Sequence, residues 1–344
     1  RVKCCGGIVD GWPVVHSPAS THPLRLDHRR MTAIPEAARR QCGAFTFEQA
    51  STNGWTAAQL SRAVAAGELV TLRRGAYLAA EELLAVPEPD RETFLLGRRG
   101  VAAALRVQQA CVSHRSAAAL HGLPVLSTAP EPCITLPPPR RTRPAGLHVH
   151  RQPVTPAELS CRFDIGVTSA ARTCLDVTRE CGLPAGLVAT DAALRADLVT
   201  ADELSDAYHR VRGRAGLADG PALILMANGL SESPLESISR CAMRGLSDAP
   251  ELQVPLFSRT GSFIARVDFF WRAAGLVGEA DGRAKYTGDE LYREKQRQDA
   301  LTAAGYLVTR WDWATATRPS RLRAQLEAQL EQARRLRAAG LSPA

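Results

Sequence analysis

From residue 234 onward the spacing of apolar side chains alternates between helical and strand period, and this constrains the chain's fold more than any other feature. The spacing predicts a helix over 234–245 and three short strands over 252–257, 264–271 and 276–281. A helix over 289–304, a strand over 306–311 and an amphipathic helix over 320–339 follow. In the second strand Ala265, Val267, Phe269 and Trp271 share one face, which suits a core, and Arg266, Asp268 and Phe270 share the other. In the third, Glu279 and Asp281 share a face with Ala280 opposite. Pairing of these two strands brings Asp268 toward Glu279 and Asp281.

Three carboxylates converging at strand ends form a hard-oxygen set suited to Mg²⁺, or Mn²⁺ in its place. Such an ion lowers the pKa of a bound water and polarises a phosphodiester. Lys285, just past the Gly282 turn, offers a compact ammonium for developing phosphorane charge or for orienting the water. Lysine stands only at positions 3, 285 and 295 in a chain otherwise served by arginine. Taken alone, Asp281-Gly282 reads most simply as a turn. The element order, Asp268 one strand earlier and Lys285 just after shift the balance toward a site. No histidine follows His209, which argues against a histidine general base or a His-rich metal site in this part.

The order helix, three strands, helix, strand is the core order of the PD-(D/E)XK nuclease fold. The runs Ser233-Pro-Leu-Glu236, Arg266-Val-Asp268-Phe, Glu279-Ala-Asp281-Gly-Arg-Ala-Lys285-Tyr286, Glu294-Lys-Gln-Arg297 and Gly305-Tyr-Leu-Val-Thr-Arg310-Trp311 resemble the domain related to very-short-patch repair endonucleases. The resemblance covers about the last quarter of the chain. It implies that Asp268 and Glu279 bind metal and that Glu236 assists from the preceding helix. The superfamily places lysine two residues after the acidic strand residue. Here Asp281 stands there, so Lys285 has to substitute.

The front of the chain has a different grammar. Short helices are expected over 35–42, 47–53 and 56–67, with Thr56 as N-cap and Asn53-Gly54 as a stop signal. Strands over 69–72 and 76–79 flank the basic turn Arg73-Arg74-Gly75. Three helices and a hairpin follow the winged helix-turn-helix order, in which the third helix enters the major groove and the wing meets phosphate. Gln59 and Arg62 are then the groove-facing candidates, and Arg73 and Arg74 the phosphate contacts. Phe45-Thr-Phe-Glu-Gln-Ala with Arg73-Arg74-Gly75-Ala-Tyr77 is similar to the winged-helix domain of AbiEi-type antitoxins. Ser113-His-Arg-Ser-Ala-Ala-Ala-Leu-His-Gly122 and Thr168-Ser-Ala-Ala-Arg172-Thr-Cys-Leu-Asp176 are similar to the segment that accompanies it. The resemblance implies DNA binding, autoregulation and antagonism of a nucleotidyltransferase toxin.

Between these parts, Pro87 to Pro89 mark a linker, and a long helix is expected over 90–109. An Ala-rich helix over 113–121, strands over 132–136, 146–151 and 163–167, and helices after Thr168, Pro184 and Thr200 follow. Ser113 reads as an N-cap. His114 and His121 read as packing or capping groups, and Arg172 with Asp176 as a surface i, i+4 pair. Arg140, Arg141 and Arg143 lie in a loop that either tracks phosphate or is simply solvated. The nine cysteines include no CxxC pair, and solitary ones such as Cys133 read as reduced structural thiols.

The net charge of +8 is spread thinly and points only weakly to an anionic partner. No membrane-spanning run, signal-peptide pattern, P-loop or dinucleotide fingerprint appears, so the expectation is a cytoplasmic protein with no membrane and no nucleotide cofactor. Residues 1–30 lack period and read as upstream leader sequence with Met31 as the expected start, the alternative being a short disordered basic arm. The expected organisation is α+β and multidomain. It has a winged helix-turn-helix over 31–85, a mixed α/β unit over 90–215 and an endonuclease-like unit over 220–340. The functional expectation is a DNA-binding protein carrying a Mg²⁺-dependent endonuclease-like domain. The alternative is a non-enzymatic regulator or antitoxin, with a cognate toxin as a further partner.

Overall fold

The computed structural model describes residues 34–340, apart from 128, 139–144, 161–163, 259 and 282–287. The expected leader, Met31, Lys285 and the arginines at 140, 141 and 143 lie outside the described residues.

The first unit opens with α1 (Glu36–Arg40), β1 (Phe45–Thr46), α2 (Phe47–Thr52) and α3 (Ala57–Ala65). Thr46 and Thr56 each begin a capping box, with Gln49 and Gln59 at the third helical position returning the bond. Strands β2 (Leu69–Arg73) and β3 (Ala76–Ala79) form the hairpin, and β1 pairs antiparallel with β3 to complete the sheet. Phe45, Leu60 and Leu69 close the small core beneath the helices. After α4 (Ala80–Leu84), helix α5 (Arg91–Ala104) packs back on the hairpin, where Leu95 and Val101 meet Leu72 and Leu78. The long helix is shorter than its spacing predicts, because the chain turns after Leu105 and Gln109 takes a positive φ.

The middle unit pairs β4 (Cys111–Val112) antiparallel with β5 (Cys133–Leu136), and β5 parallel with β6 (His148–Arg151). Helix α6 (His114–Leu120) separates β4 from β5. The strand expected over 163–167 is replaced, among the described residues, by single bridges from Val167 to Val112 and from Thr168 to Leu159. Helices α7 (Ala170–Cys181), α8 (Leu183–Arg195), α9 (Ala201–Val211) and α10 (Gly220–Met226) share a core of leucine, valine and alanine.

In the last unit, α11 (Pro234–Ala242) precedes β7 (Glu251–Phe257), β8 (Phe263–Trp271) and β9 (Leu276–Ala280). Then come α12 (Gly288–Ala303), β10 (Leu307–Trp311), α13 (Trp313–Ala316) and α14 (Pro319–Ala338). The sheet order is β10-β9-β8-β7, antiparallel except for the parallel pair β9 and β10. Helices α11 and α14 contribute to the core on one side with Phe269, Trp271 and Trp311. Leu301 of α12 joins Val267, Phe270 and Val277 on the other. Each such large apolar group taken from water contributes about 1.5–3 kcal/mol. The single apolar face expected for β8 is therefore not what forms. Val267 and Phe270 serve one core and Phe269 and Trp271 the other. The switch falls where Gln253 of β7, with φ 54°, stands beside Asp268. Helices cover both sheet faces, so the burial of β8 does not follow a two-residue alternation.

The chain is thus an α+β protein with several helices and small sheets. Among the described residues no helix is long and apolar enough to cross a membrane.

Candidate functional site

The last unit assembles carboxylates where β7, β8 and β9 meet the start of α11. Ser233 caps α11 by accepting from the Glu236 backbone, and its hydroxyl donates to Glu236 Oε1 at 2.7 Å. Glu236 Oε2 accepts from the Glu232 amide and, at 3.0 Å, from Gln253 Nε2. The same Gln253 nitrogen lies 3.4 Å from Asp268 Oδ1, and the Ala280 amide donates to Asp268 Oδ2 at 3.0 Å. Burial, then the Glu236 charge, push the Asp268 carboxyl up to about 6.

Glu279 sits in β9 with both carboxylate oxygens engaged. Arg297 of α12 grips it at 2.5 and 2.8 Å, and Arg310 of β10 donates to Oε2 at 3.0 Å. Glu294 shares both arginines. Asp281 is half-buried at the end of β9, and its amide bonds the Trp311 carbonyl. Strands β8 and β9 pair antiparallel, the condition on which the approach of Asp268 to Glu279 depended. Among the described residues, however, Asp268, Glu279 and Asp281 are not a set whose ligand atoms lie within 4.8 Å of one another. As placed, Glu279 presents its lone pairs to guanidinium forks rather than to a divalent ion.

In the first unit, Gln59 is committed to its cap, accepting from the Thr56 amide at 2.8 Å. Arg62 is exposed on α3, its Nε bonded to the Ala58 carbonyl one turn earlier. The two hairpin arginines differ. Arg74 is exposed at the turn. Arg73 instead donates to the carbonyls of Gly146 and Ala145, at 2.8 and 2.9 Å, across to the turn before β6.

The middle unit holds a polar cluster that local spacing does not announce. Arg172 and Asp176 are fully buried, which corrects the surface pair expected of them. Arg172 Nε bonds Asp176 Oδ2 at 2.9 Å, and its other arm reaches Glu158. Arg179 and Gln152 also bond Asp176. Ser113 stands at the N-cap position of α6, but its hydroxyl meets His114 Nδ1 and Thr135 instead of the helix amides. His121 bonds the Thr168 carbonyl, a packing role as expected. His114 is stacked on His150 with centroids 3.3 Å apart, and His148 lies 4.3 Å from His150. Burial, then the neighbouring His114, lower His150 to about 2, so this ring is neutral. Glu180 Oε1 accepts from Arg115 Nε at 3.0 Å and lies 2.8 Å from His148 Nδ1. Cys133 Sγ is 3.5 Å from the same oxygen. Cys133 is therefore no isolated thiol. With His148, His150 and Glu180 it forms a group whose ligand atoms all lie within 4.8 Å of one another, a set able in principle to hold a metal ion.

Residues 33–80 match the family described as "Transcriptional regulator, AbiEi antitoxin". Two Mycobacterium tuberculosis proteins are each 32% identical to this chain over 284 residues, spanning 81% of it and 98% of their own length. They are the uncharacterized protein Rv2248 of strain ATCC 25618 / H37Rv and the uncharacterized protein MT2308 of strain CDC 1551 / Oshkosh. The crystal structure of the RV2827C protein from Mycobacterium tuberculosis aligns with 66% of this chain and 90% of its own, at 17% identity and a TM-score of 0.33. That score is too low to carry an argument. The chain belongs to the family of Rv2248 and MT2308, with an AbiEi antitoxin-like segment at its front.

Proposed function

We propose that this protein is a DNA-binding regulator of the antitoxin type, acting in the cytoplasm, with a last unit that keeps a nuclease-like arrangement without turnover. The observation that carries the reading is the AbiEi antitoxin match, which spans α1–α3 and both hairpin strands. Helices α1–α3 and the hairpin serve as a winged helix-turn-helix. Helix α3 enters the major groove with Arg62, and Gln59 holds the helix start while its amide nitrogen remains a donor. Arg74 meets phosphate from the wing. A nucleotidyltransferase toxin is the protein partner that this family likeness suggests. Neither a membrane nor a nucleotide cofactor has a part in the reading. The grip of Arg297 and Arg310 on Glu279 supports an inert last unit, because an ion there has to displace both guanidinium forks.

A second reading rests on the Gln253 bridge between Glu236 and Asp268 and on the raised Asp268 carboxyl. Here the last unit takes the PD-(D/E)XK fold. Asp268, Glu279 and Asp281 hold Mg²⁺ or Mn²⁺, Glu236 assists and Lys285 faces the phosphate. The ion supplies an activated water and Lewis-acid polarisation.

One experiment separates the readings. Full-length protein is mixed with DNA from upstream of its own gene and with supercoiled plasmid, each with and without Mg²⁺ or Mn²⁺. The regulator reading expects a mobility shift that salt weakens, and intact plasmid. Divalent-dependent nicking that Asp268→Asn abolishes selects the second reading. Absence of any shift overturns the first.

A further inference from the structure

We propose that Cys133, His148, His150 and Glu180 form a zinc site that clips the β5–β6 ladder to the end of α7. The parallel register sets Cys133 beside His148 and Thr135 beside His150. Residues two apart share a strand face, so three donors project from one side of a fixed ladder. Glu180, in the last turn of α7, closes the set. One thiolate, two imidazoles and one carboxylate are the donors zinc accepts in tetrahedral sites, whereas Mg²⁺ takes oxygen ligands.

The geometry is close to what binding needs. Bonds of about 2.0–2.3 Å in a tetrahedron place ligand atoms about 3.4 Å apart. All four lie within 4.8 Å already, so side-chain rotations suffice. The charges also match: a thiolate and a carboxylate balance a divalent ion. Two arginines bear on the cluster: Arg179 acts on His150 through its charge, and Arg115 touches Glu180 directly. Arg115 Nε holds Glu180 Oε1, and its Nη1 is anchored on the Ala129 carbonyl. It thereby orients the carboxylate from outside and leaves Oε2 for the metal. A separate observation points the same way. Among the described residues, His150 Nε2 is buried without a hydrogen-bond partner. An unsatisfied buried polar atom costs about 1–3 kcal/mol, and metal ligation through this nitrogen removes that cost. The His114 ring stacks on the face of His150, so the single in-plane lone pair of the neutral imidazole points away from the stack.

The test is metal analysis and cobalt substitution of the full chain. Expected are one zinc per chain after dialysis, and a Co²⁺ form with a thiolate charge-transfer band and intense tetrahedral ligand-field bands. Cys133→Ser is expected to lose the charge-transfer band. His148→Gln, on the half-exposed ligand, is expected to weaken binding at least about tenfold with circular dichroism unchanged. Cys4 and Cys5 lie near the start of the chain, so only a signal that responds to these substitutions counts. Metal-free protein overturns the proposal. So does a band that survives Cys133→Ser. Should that variant fail to fold, unaltered zinc affinity in His148→Gln overturns it.

Discussion

Asp268 carries a charge that its surroundings oppose. Burial and Glu236 disfavour its carboxylate, with Glu279 adding to them, while the Ala280 amide and Gln253 favour it less strongly. Its pKa rises from 3.8 to about 6 on folding. Between those values the folded state holds a proton that the unfolded chain has released, so stability falls as pH rises through the window. The penalty is fully present above about 6, and two units correspond to roughly 3 kcal/mol at most. Asp268→Asn is therefore expected to be more stable than the wild type at pH 7.5 and equal to it near pH 4, as read by urea unfolding at both. A less stable Asn variant at pH 7.5 means that a cation holds the carboxylate charged. At this scale some roles were legible. Thr56 reads as the N-cap of α3 and forms it, while Gln59, expected to face the groove, returns the capping bond. The burial of Arg172 and Asp176 was not legible, because an i, i+4 ion pair has the same spacing on a wet face as inside a core. Nor were Cys133, His148, His150 and Glu180, which three separate elements bring together.

At the scale of elements, period located the helices and strands well, and packing explains the departures. The Gly182-Leu183-Pro184 corner turns α7 directly into α8, and the two helices approach at Gly186. A Cβ there meets the Thr178 backbone at 2.9 Å, against a side chain already bonded to the Cys174 carbonyl. Backbone cannot rotate away, so Gly186→Ala is expected to cost about 1–3 kcal/mol by overpacking and to lower the thermal midpoint by several degrees. Gly97→Ala is the control. Its nearest obstacle is Leu120 Cδ2 at 3.1 Å, the far end of a flexible side chain, and its expected cost is smaller. Equal melting of Gly186→Ala and wild type would show that α7 and α8 sit farther apart than described. Strand β8 marks where period misled. Alternation assigned one core face, but a sheet covered on both sides buries both, with Val267 and Phe270 in one core and Phe269 and Trp271 in the other.

Across the whole molecule, the joints between units were the least legible, because a joint pairs residues far apart in the chain. The hairpin turn is the clearest case. Two adjacent arginines read from sequence as a pair of phosphate contacts, yet they face different work. Arg73 crosses to the Ala145 and Gly146 carbonyls just before β6, and burial lowers its pKa. Arg74 stays exposed. If the front unit binds DNA, a contact to phosphate releases counterions and each lost charge lowers the salt slope by about 0.9. Arg74→Ala is expected to flatten log affinity against log salt by about that amount at every DNA sequence, with stability unchanged. Arg73→Ala is expected to leave the slope near the wild-type value. Its cost falls on the joint, at about 1 kcal/mol for two partly solvated bonds, and appears as a lower unfolding midpoint. Anisotropy titrations over a salt series, paired with denaturant unfolding, separate the two effects. A slope that flattens equally in both variants means that Arg73 leaves the carbonyls to reach DNA, and the joint between hairpin and β6 then opens on binding.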